Sequence, residues 1–363
     1  MLKLEGVVKQ YSYGKRLYGA VDLTVENGEI LSVLGGKGSG KTTFLKTISG
    51  IDDHEGNITL DGTPLKAKTD DVIMVFDDGA LFPMRTVFDN LAYPLKIRGV
   101  DKVEIAKRVV QAAEKFGLVA CLKMRPKSLS AVEKRKVSLA RILMRDVKLI
   151  LLDDFLSDLT RKDADDLFEE ATKVLYTLAK DKGTSVIFVT DNPRYAFSFG
   201  DRTMVLVGGD VKQIGTYTDI YNHPHTVWSA EAVDENYNAL KGTLTAENDN
   251  LNFVFSVFGQ NLSLDVTCLK DQIQEDYIGK EVLCGWHGKD VVIDENGIKM
   301  DVNFSKRIED KFVLEGADSF DRLKVVTDQF SDQISFLPKA DKVHFFDVRE
   351  NSVMKRNWRK VLH

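Results

Sequence analysis

Apolar positions follow two different rhythms along this chain. From residue 29 to about 235, short apolar runs alternate with longer stretches whose apolar side chains recur every three or four positions. The short runs are EILSVL (29–34), DVIMVFDD (71–78), KLILLDD (148–154) and SVIFVTD (185–191). Their lack of polar alternation predicts strands buried on both faces. TTFLKTISG (42–50) and TVFDNLAYPLKIRGVDKVEIAKRVVQAAEKFGL (86–118) carry the helical period. Strands alternating with helices predict an α/β fold around a mainly parallel sheet covered on both faces.

Beyond about residue 235 the period shortens. NFVFSVFGQNLSLDV (252–266) alternates around Phe253, Phe255 and Val257, and KEVLCGW (280–286), KDVVI (289–293), DRLKVVTD (321–328) and KVHFFD (342–347) follow between Gly- and Asp-rich turns. This pattern predicts a small antiparallel all-β barrel. The polar, acidic stretch AEAVDENYNALKG (230–242) is the expected boundary. It divides the chain into 1–235, with a helical subdomain at about 86–145, and 236–363.

The strand at 29–34 runs into LGGKGSGKTT (34–43), which satisfies Gly-x-x-x-x-Gly-Lys-[Ser/Thr] without a mismatch. Gly35, Gly36, Lys37, Gly38, Ser39 and Gly40 would let backbone N–H groups close around phosphates, and the start of the following helix, with Thr43, adds positive dipole. Lys41 would reach the β and γ phosphates, and Thr42 would ligate Mg²⁺. A motif in its strand–loop–helix setting makes a nucleoside triphosphate with Mg²⁺ the expected ligand.

Composition narrows the alternatives. The net charge of −5 advertises no nucleic-acid partner, and the expected barrel lacks a basic, aromatic-interleaved face. No stretch approaches the ~20 apolar residues that span a bilayer, so membrane work would need other chains as the anchor. MLKLEGVVKQ, at the N-terminus, has no signal-peptide apolar run. Cys121, Cys268 and Cys284 are widely spaced and odd in number, which predicts small core-filling side chains rather than zinc ligands or disulfides. His223, His225 and His287 show no ligand spacing, and Trp286, Phe345 and Phe346 read as core.

Further motifs give the chain a resemblance to the ATP-binding subunits of ABC (ATP-binding cassette) transporters, nearest to the sugar-importer ATPases typified by the maltose importer. KQYSYG (9–14) resembles the adenine-stacking loop, with Tyr11 or Tyr13 as the stacker. ALFPMRTVFDNLAYPL (80–95) resembles the segment after the γ-phosphate sensor, which docks on the membrane subunit. KSLSAVEKRKVSLARILMRDVKLILLDDFLSDL (127–159) resembles the signature helix running into the Walker B strand. DVKQIGTYTDIYNHP (210–224) resembles the end of the nucleotide domain, and HFFDVRENSVM (344–354) the last strands of an oligosaccharide-binding-like barrel.

The departures from the family cluster at the chemistry. Asp153 matches the metal-associated Asp, but the general-base Glu is Asp154, the sensor Gln is Asp77 and the switch His is Asp191. The signature Leu-Ser-Gly-Gly-Gln reads Leu129-Ser130-Ala131-Val132-Glu133, in which Ser130 would face an opposing subunit's ATP. The D-loop reads Ser157-Asp158-Leu159-Thr160. Thr42, Asp153 and Asp77 are the implied metal ligands. If the family geometry holds, Asp77, Asp153, Asp154 and Asp191 gather near one γ-phosphate and repel it unless divalent metal neutralises them.

The resemblance therefore implies a nucleotide-binding subunit of an importer for a sugar or related small polar solute. It would bind ATP–Mg²⁺, hydrolyse it weakly and pair with a more complete second ATPase subunit. It would sit in the cytoplasm on the inner face of the membrane, against permease subunits and indirectly serving a solute-binding protein. An active ATPase using Asp154 as base, and a transporter-free regulatory ATP-binding protein, are the other two readings.

Overall fold

The structure, a computed structural model, describes residues 1–10, 16–65, 69–76, 80–349 and 351–355. The chain divides into two compact units, Met1–Tyr217 and Thr218–His363. Its first unit begins with β1 (Leu2–Gln10), β2 (Arg16–Val25), β3 (Ile30–Leu34), α1 (Lys41–Ile48), β4 (Glu55–Leu60), β5 (Thr63–Pro64) and β6 (Val72–Val75). It continues with α2 (Val87–Lys96), α3 (Lys102–Lys115), α4 (Ala131–Ile142), β7 (Leu149–Asp153) and α5 (Arg161–Lys182). β8 (Ser185–Thr190), α6 (Pro193–Phe199), β9 (Arg202–Val207) and β10 (Asp210–Gly215) complete it.

Among the described residues, these strands form a six-stranded sheet in the order β10-β9-β3-β8-β7-β6 and a four-stranded one in the order β2-β1-β4-β5. β9, β3, β8, β7 and β6 are parallel, as the unbroken apolar runs predict. Successive residues of those runs feed opposite cores, because strand side chains alternate between faces. Ile150, Leu152, Val186 and Phe188 pack with α2, α3, α4 and α5. Leu149, Leu151, Ile187 and Val189 pack with Phe44, Leu45 and Ile48 of α1 and with Leu2, Leu4 and Val7 of β1. The antiparallel four-stranded sheet is an addition to the expected parallel one.

The helical stretch 86–118 is two helices. Gly99 takes a left-handed φ of 70° after α2, and Asp101 caps α3 through the Val103 N–H at 2.8 Å. That pairing of a left-handed glycine stop with an aspartate start is what breaks a helix cleanly.

The second unit opens with α7 (Tyr217–Asn222) and α8 (Val227–Val233), the latter packed through Val227 and Ala230 on Tyr237 and Phe346. β11 (Tyr237–Glu247), β12 (Asn250–Val257), β13 (Gln260–Asp265), β14 (Glu281–His287) and β15 (Val291–Asp301) follow. β16 (Phe304–Ile308), β17 (Lys311–Ala317), β18 (Arg322–Thr327), β19 (Gln333–Pro338) and β20 (His344–Phe346) end it. The all-β character agrees with the sequence. Among the described residues the strands pair as sheets β13-β12-β11-β14-β20, β15-β19 and β16-β17-β18, with no ladder closing them into one barrel. They share one core, in which Trp286 and Phe345 are buried, as expected from their sequence context. His287, also buried, bonds Asp234 at 3.0 Å. All three cysteines are free, but the expectation of three core residues fails at Cys268, which is exposed. It lies on a short 3-10 turn whose buried residue is Leu269.

Candidate nucleotide site

Parallel strands place the site. Leu34 of β3 pairs with Thr190 of β8, and Asp153 of β7 pairs with Val189. Gly35, Asp154 and Asp191 therefore leave the C-terminal ends of adjacent strands, where open α/β sheets bind ligands. The Gly35 N–H donates to the Thr190 carbonyl at 3.2 Å, and the Asp154 N–H to the Val189 carbonyl at 3.3 Å, pinning both turns to β8.

The phosphate loop needs its glycines for two distinct reasons. A Cβ on Gly35 would stand 2.4 Å from the Leu206 carbonyl oxygen, whereas Gly38 and Gly40 adopt φ of 79° and 102°. Only glycine takes such backbone at no steric cost. Around Gly36 and Gly38 there is open space instead. Lys41 is 8% exposed, and its ammonium donates to the Gly35 and Gly36 carbonyls at 2.7 and 3.1 Å. Ser39 is buried, and its hydroxyl has no hydrogen-bond partner among the described residues. Thr42 and Thr43 lie in the first turn of α1, and Lys37 is exposed at the tip of the loop.

The Thr42 hydroxyl donates to a carboxylate oxygen of Asp153 at 2.9 Å, across 111 residues of sequence. Asp153 is 4% exposed. Hard oxygen donors from a hydroxyl and a carboxylate, next to a buried ammonium and an open glycine cradle, fit a triphosphate with Mg²⁺. The metal, when bound, would neutralise phosphate charge. Lys41 would turn its ammonium from its own loop carbonyls to the phosphates, Thr42 and Asp153 would hold the metal side, and the N–H groups at the start of α1 would receive phosphate oxygens.

Asp154 is half-buried in a left-handed turn at φ 42°, and its carbonyl accepts the Ser157 N–H at 2.9 Å. Asp191 is exposed just past β8. Among the described residues no group of three or more His, Cys, Asp and Glu side chains stands close enough to hold a metal ion. Asp153, Asp154 and Asp191 thus make no such group by themselves. Asp77 and Tyr11, like Tyr13, lie outside the described residues.

Ser130 is exposed as the N-cap of α4, away from the phosphate loop in sequence and in element. Its side chain accepts the Glu133 N–H at 3.2 Å, and Glu133 accepts the Ser130 N–H at 2.7 Å, closing a capping box. The pattern Ser-x-x-Glu before an apolar run signals that box in the sequence. Two arginines of the same helix tie it to distant turns. Arg135 donates to the Phe155 carbonyl at 3.2 Å, in the turn that carries Asp154. Arg141 donates to the Ala80 carbonyl at 2.9 Å.

Comparison with known proteins agrees with this architecture. The ABC transporter family profile matches residues 18–157. The uncharacterized ABC transporter ATP-binding protein YurJ of Bacillus subtilis is 31% identical over 95% of this chain and 97% of the relative. The oligosaccharides import ATP-binding protein MsmX of the same organism is 30% identical, again over 95% of this chain and 97% of the relative. A dimeric ATP-binding cassette in a post-hydrolysis state bound to ADP and Pi superposes with a TM-score of 0.53 at 27% identity, over 60% of this chain and 98% of that one.

A phosphate loop on a parallel sheet, with α2, α3 and α4 packed on one face, agrees with the fold of an ATP-binding cassette. The chain belongs to the ATP-binding proteins of ABC transporters, and ATP with Mg²⁺ is its cofactor.

Proposed function

We propose that the chain is the nucleotide-binding subunit of an importer for a sugar or related small polar solute. Two relatives support the cargo class by name: MsmX imports oligosaccharides, and the Rhizobium johnstonii protein UgpC 1, 34% identical over 68% of this chain, imports sn-glycerol-3-phosphate. No helix among the described residues is long and apolar enough to cross a membrane. The subunit works at the inner face of the membrane against permease subunits, with the solute-binding protein acting through them.

Binding and hydrolysis part company in this reading. The observation that carries it is the intact Thr42–Asp153 pair standing one residue from Asp154. A carboxylate at the base position has the right chemistry but one methylene less reach than Glu, and a base must come within ~3 Å of its water. With Asp77 and Asp191 as sensor and switch, the site binds ATP–Mg²⁺ and turns it over slowly. The natural assembly is a heterodimer with a second, more complete ATPase subunit, since two copies of this chain would oppose weak base positions to altered signatures.

The test is ATP turnover by the purified chain, then by the chain co-expressed with its permease and any second ATPase. Turnover far below that of the co-expressed assembly is expected. Brisk phosphate release that Lys41→Ala abolishes in the isolated chain would favour the active-ATPase reading. A transport-competent complex with this ATPase in two copies removes the heterodimer.

A further inference from the structure

The turn after β7 runs twice against ordinary backbone preference. Asp154 and Asp158 take left-handed φ of 42° and 58°. Residues other than glycine occupy that region at a cost, and they persist there only where surrounding contacts over-determine them. Two such contacts come from the sheet and from the turn itself. The Asp154 N–H donates to the Val189 carbonyl at 3.3 Å, and the Ser157 N–H to the Asp154 carbonyl at 2.9 Å. A third comes from α4. Arg135 reaches the turn with Nε on the Phe155 carbonyl at 3.2 Å and Nη2 toward the Ser157 carbonyl at 3.5 Å.

The residue type matters for this grip. A guanidinium is a planar fork that can address two acceptors at once, whereas an ammonium is a single point of charge. Phe155 is 1% exposed and its ring packs on Phe188, so its carbonyl has no water to fall back on and needs a protein donor. The arm that supplies the donor is itself firmly seated, since Val137, Leu139, Ala140 and Ile142 of α4 are buried in the same core as Phe155. Asp154 is thereby held on both sides, by β8 through its own N–H and by α4 through the residue that follows it. Asp153, bonded by Thr42, stands outside this clamp.

We propose that Arg135 is a positioning residue for hydrolysis, holding the left-handed turn that aims the Asp154 carboxylate. The inference rests on the reading of Asp154 as the base position, and it adds the group that keeps that base in place. Arg135 acts through Asp154, so its loss slows the chemical step and leaves the phosphate loop's hold on ATP intact. Without the fork the turn relaxes toward ordinary backbone, and the carboxylate loses its aim. Arg135→Gln removes the charge and the fork, whereas Arg135→Lys keeps a donor for one of the two carbonyls.

The experiment is single-turnover cleavage of radiolabelled ATP with Mg²⁺ by the full chain in excess, which reads the chemical step even where it is slow. Calorimetric ATP affinity and hydrogen exchange of amides 154–159 are measured beside it. Arg135→Gln is expected to slow cleavage roughly tenfold, since a misplacement of about 1 Å can cost more than that. ATP affinity should stay unchanged, exchange in the turn should quicken, and Arg135→Lys should recover part of the rate. In an Asp154→Asn background, which keeps a residue at ease with left-handed backbone, Arg135→Gln should slow cleavage no further. A general loosening of the fold would add its loss in both backgrounds. The proposal is overturned if Arg135→Gln cleaves ATP at the native rate, if its loss is the same size in the Asp154→Asn background, or if ATP affinity falls in step with the rate. A native chain that cleaves no ATP, or is indifferent to Asp154→Asn, removes the base reading and the positioning role with it. That failure is recognised in the native and Asp154→Asn proteins, before Arg135 is changed.

Discussion

On the phosphate-loop side of the site, β3, the glycine turn and α1 supply a left-handed cradle, a buried ammonium and a hydroxyl on Asp153. On the opposite side, the turns after β7 and β8 supply Asp154 and Asp191, where the family resemblance calls for Glu and His. The same parallel sheet positions both sides, so the fold does not explain their difference. Grip on a triphosphate needs only charge and N–H groups in roughly the right place. Hydrolysis needs a water, a base and a sensor aligned to within a fraction of an ångström. A chain can lose the second set and keep the first.

The sharpest way to break this contrast is to disable the loop. Lys41→Ala removes a charge-assisted contact of the kind worth about 1.5–3 kcal/mol, so ATP affinity should fall roughly ten- to hundredfold in titration calorimetry. The fold should survive, because the Lys41 ammonium bonds the Gly35 and Gly36 carbonyls of its own loop. Equal binding heats for native and variant chains would mean that the loop is not the nucleotide site.

Metal dependence probes the other side. If Asp77, Asp154 and Asp191 stand near the phosphates, as the family resemblance implies, ATP affinity should drop by roughly tenfold or more when Mg²⁺ is chelated, because uncompensated carboxylates repel the triphosphate. Asp77→Gln combined with Asp191→His should shrink that dependence. If affinity is the same with and without Mg²⁺ in both proteins, the anionic character of that side plays no part in binding.

How far the sequence reveals these two sides depends on what sets each position. The loop is legible because its glycines are demanded locally, by positive φ at Gly38 and Gly40 and by the Leu206 carbonyl against Gly35. The buried strands are legible because a run such as Leu149–Leu152 is apolar on both faces. The Thr42–Asp153 bond spans 111 residues and depends on strand order, which periodicity does not encode. β1 is not legible because its alternation is interrupted at Gly6, where the pairing with β2 shifts register between Leu4 and Val7. Barrel closure was likewise beyond an alternation pattern, which says which face is buried but not which edges pair. Arg135 and Arg141 bond backbone carbonyls of distant turns, and a carbonyl leaves no trace in side-chain identity.

A smaller effect tests whether stability and site are separable. Thr160 caps α5 by accepting the Asp163 N–H at 3.2 Å, while its hydroxyl donates to the Asp163 carboxylate at 2.8 Å. Thr160→Ala should cost about 1 kcal/mol in denaturant unfolding of the chain. ATP affinity should stay unchanged, since the cap stands beyond the Asp154 turn and touches neither Lys41 nor Thr42. A parallel loss of binding would show that the turn between β7 and α5 is part of the grip, and the contrast between the two sides would have to be redrawn.

The smallest expected effect is the repair that looks most direct. Asp154→Glu restores the family's base chemistry, yet turnover by the isolated chain should rise by less than about threefold, within the reach of one positioned base lacking its partners. Asp77 and Asp191 would still stand at the sensor and switch positions. The backbone adds a second reason. Residue 154 sits at φ 42°, a left-handed conformation that Asp visits more readily than longer side chains, for which it costs roughly 1–2 kcal/mol. The substitution therefore pits a longer reach against a strained turn, and a slightly lower melting temperature should accompany the small gain. Phosphate release measured beside the Lys41→Ala background decides the matter. A rise of a hundredfold or more from Asp154→Glu alone would show that one methylene was the whole deficit, and that the sensor and switch positions need neither Gln nor His.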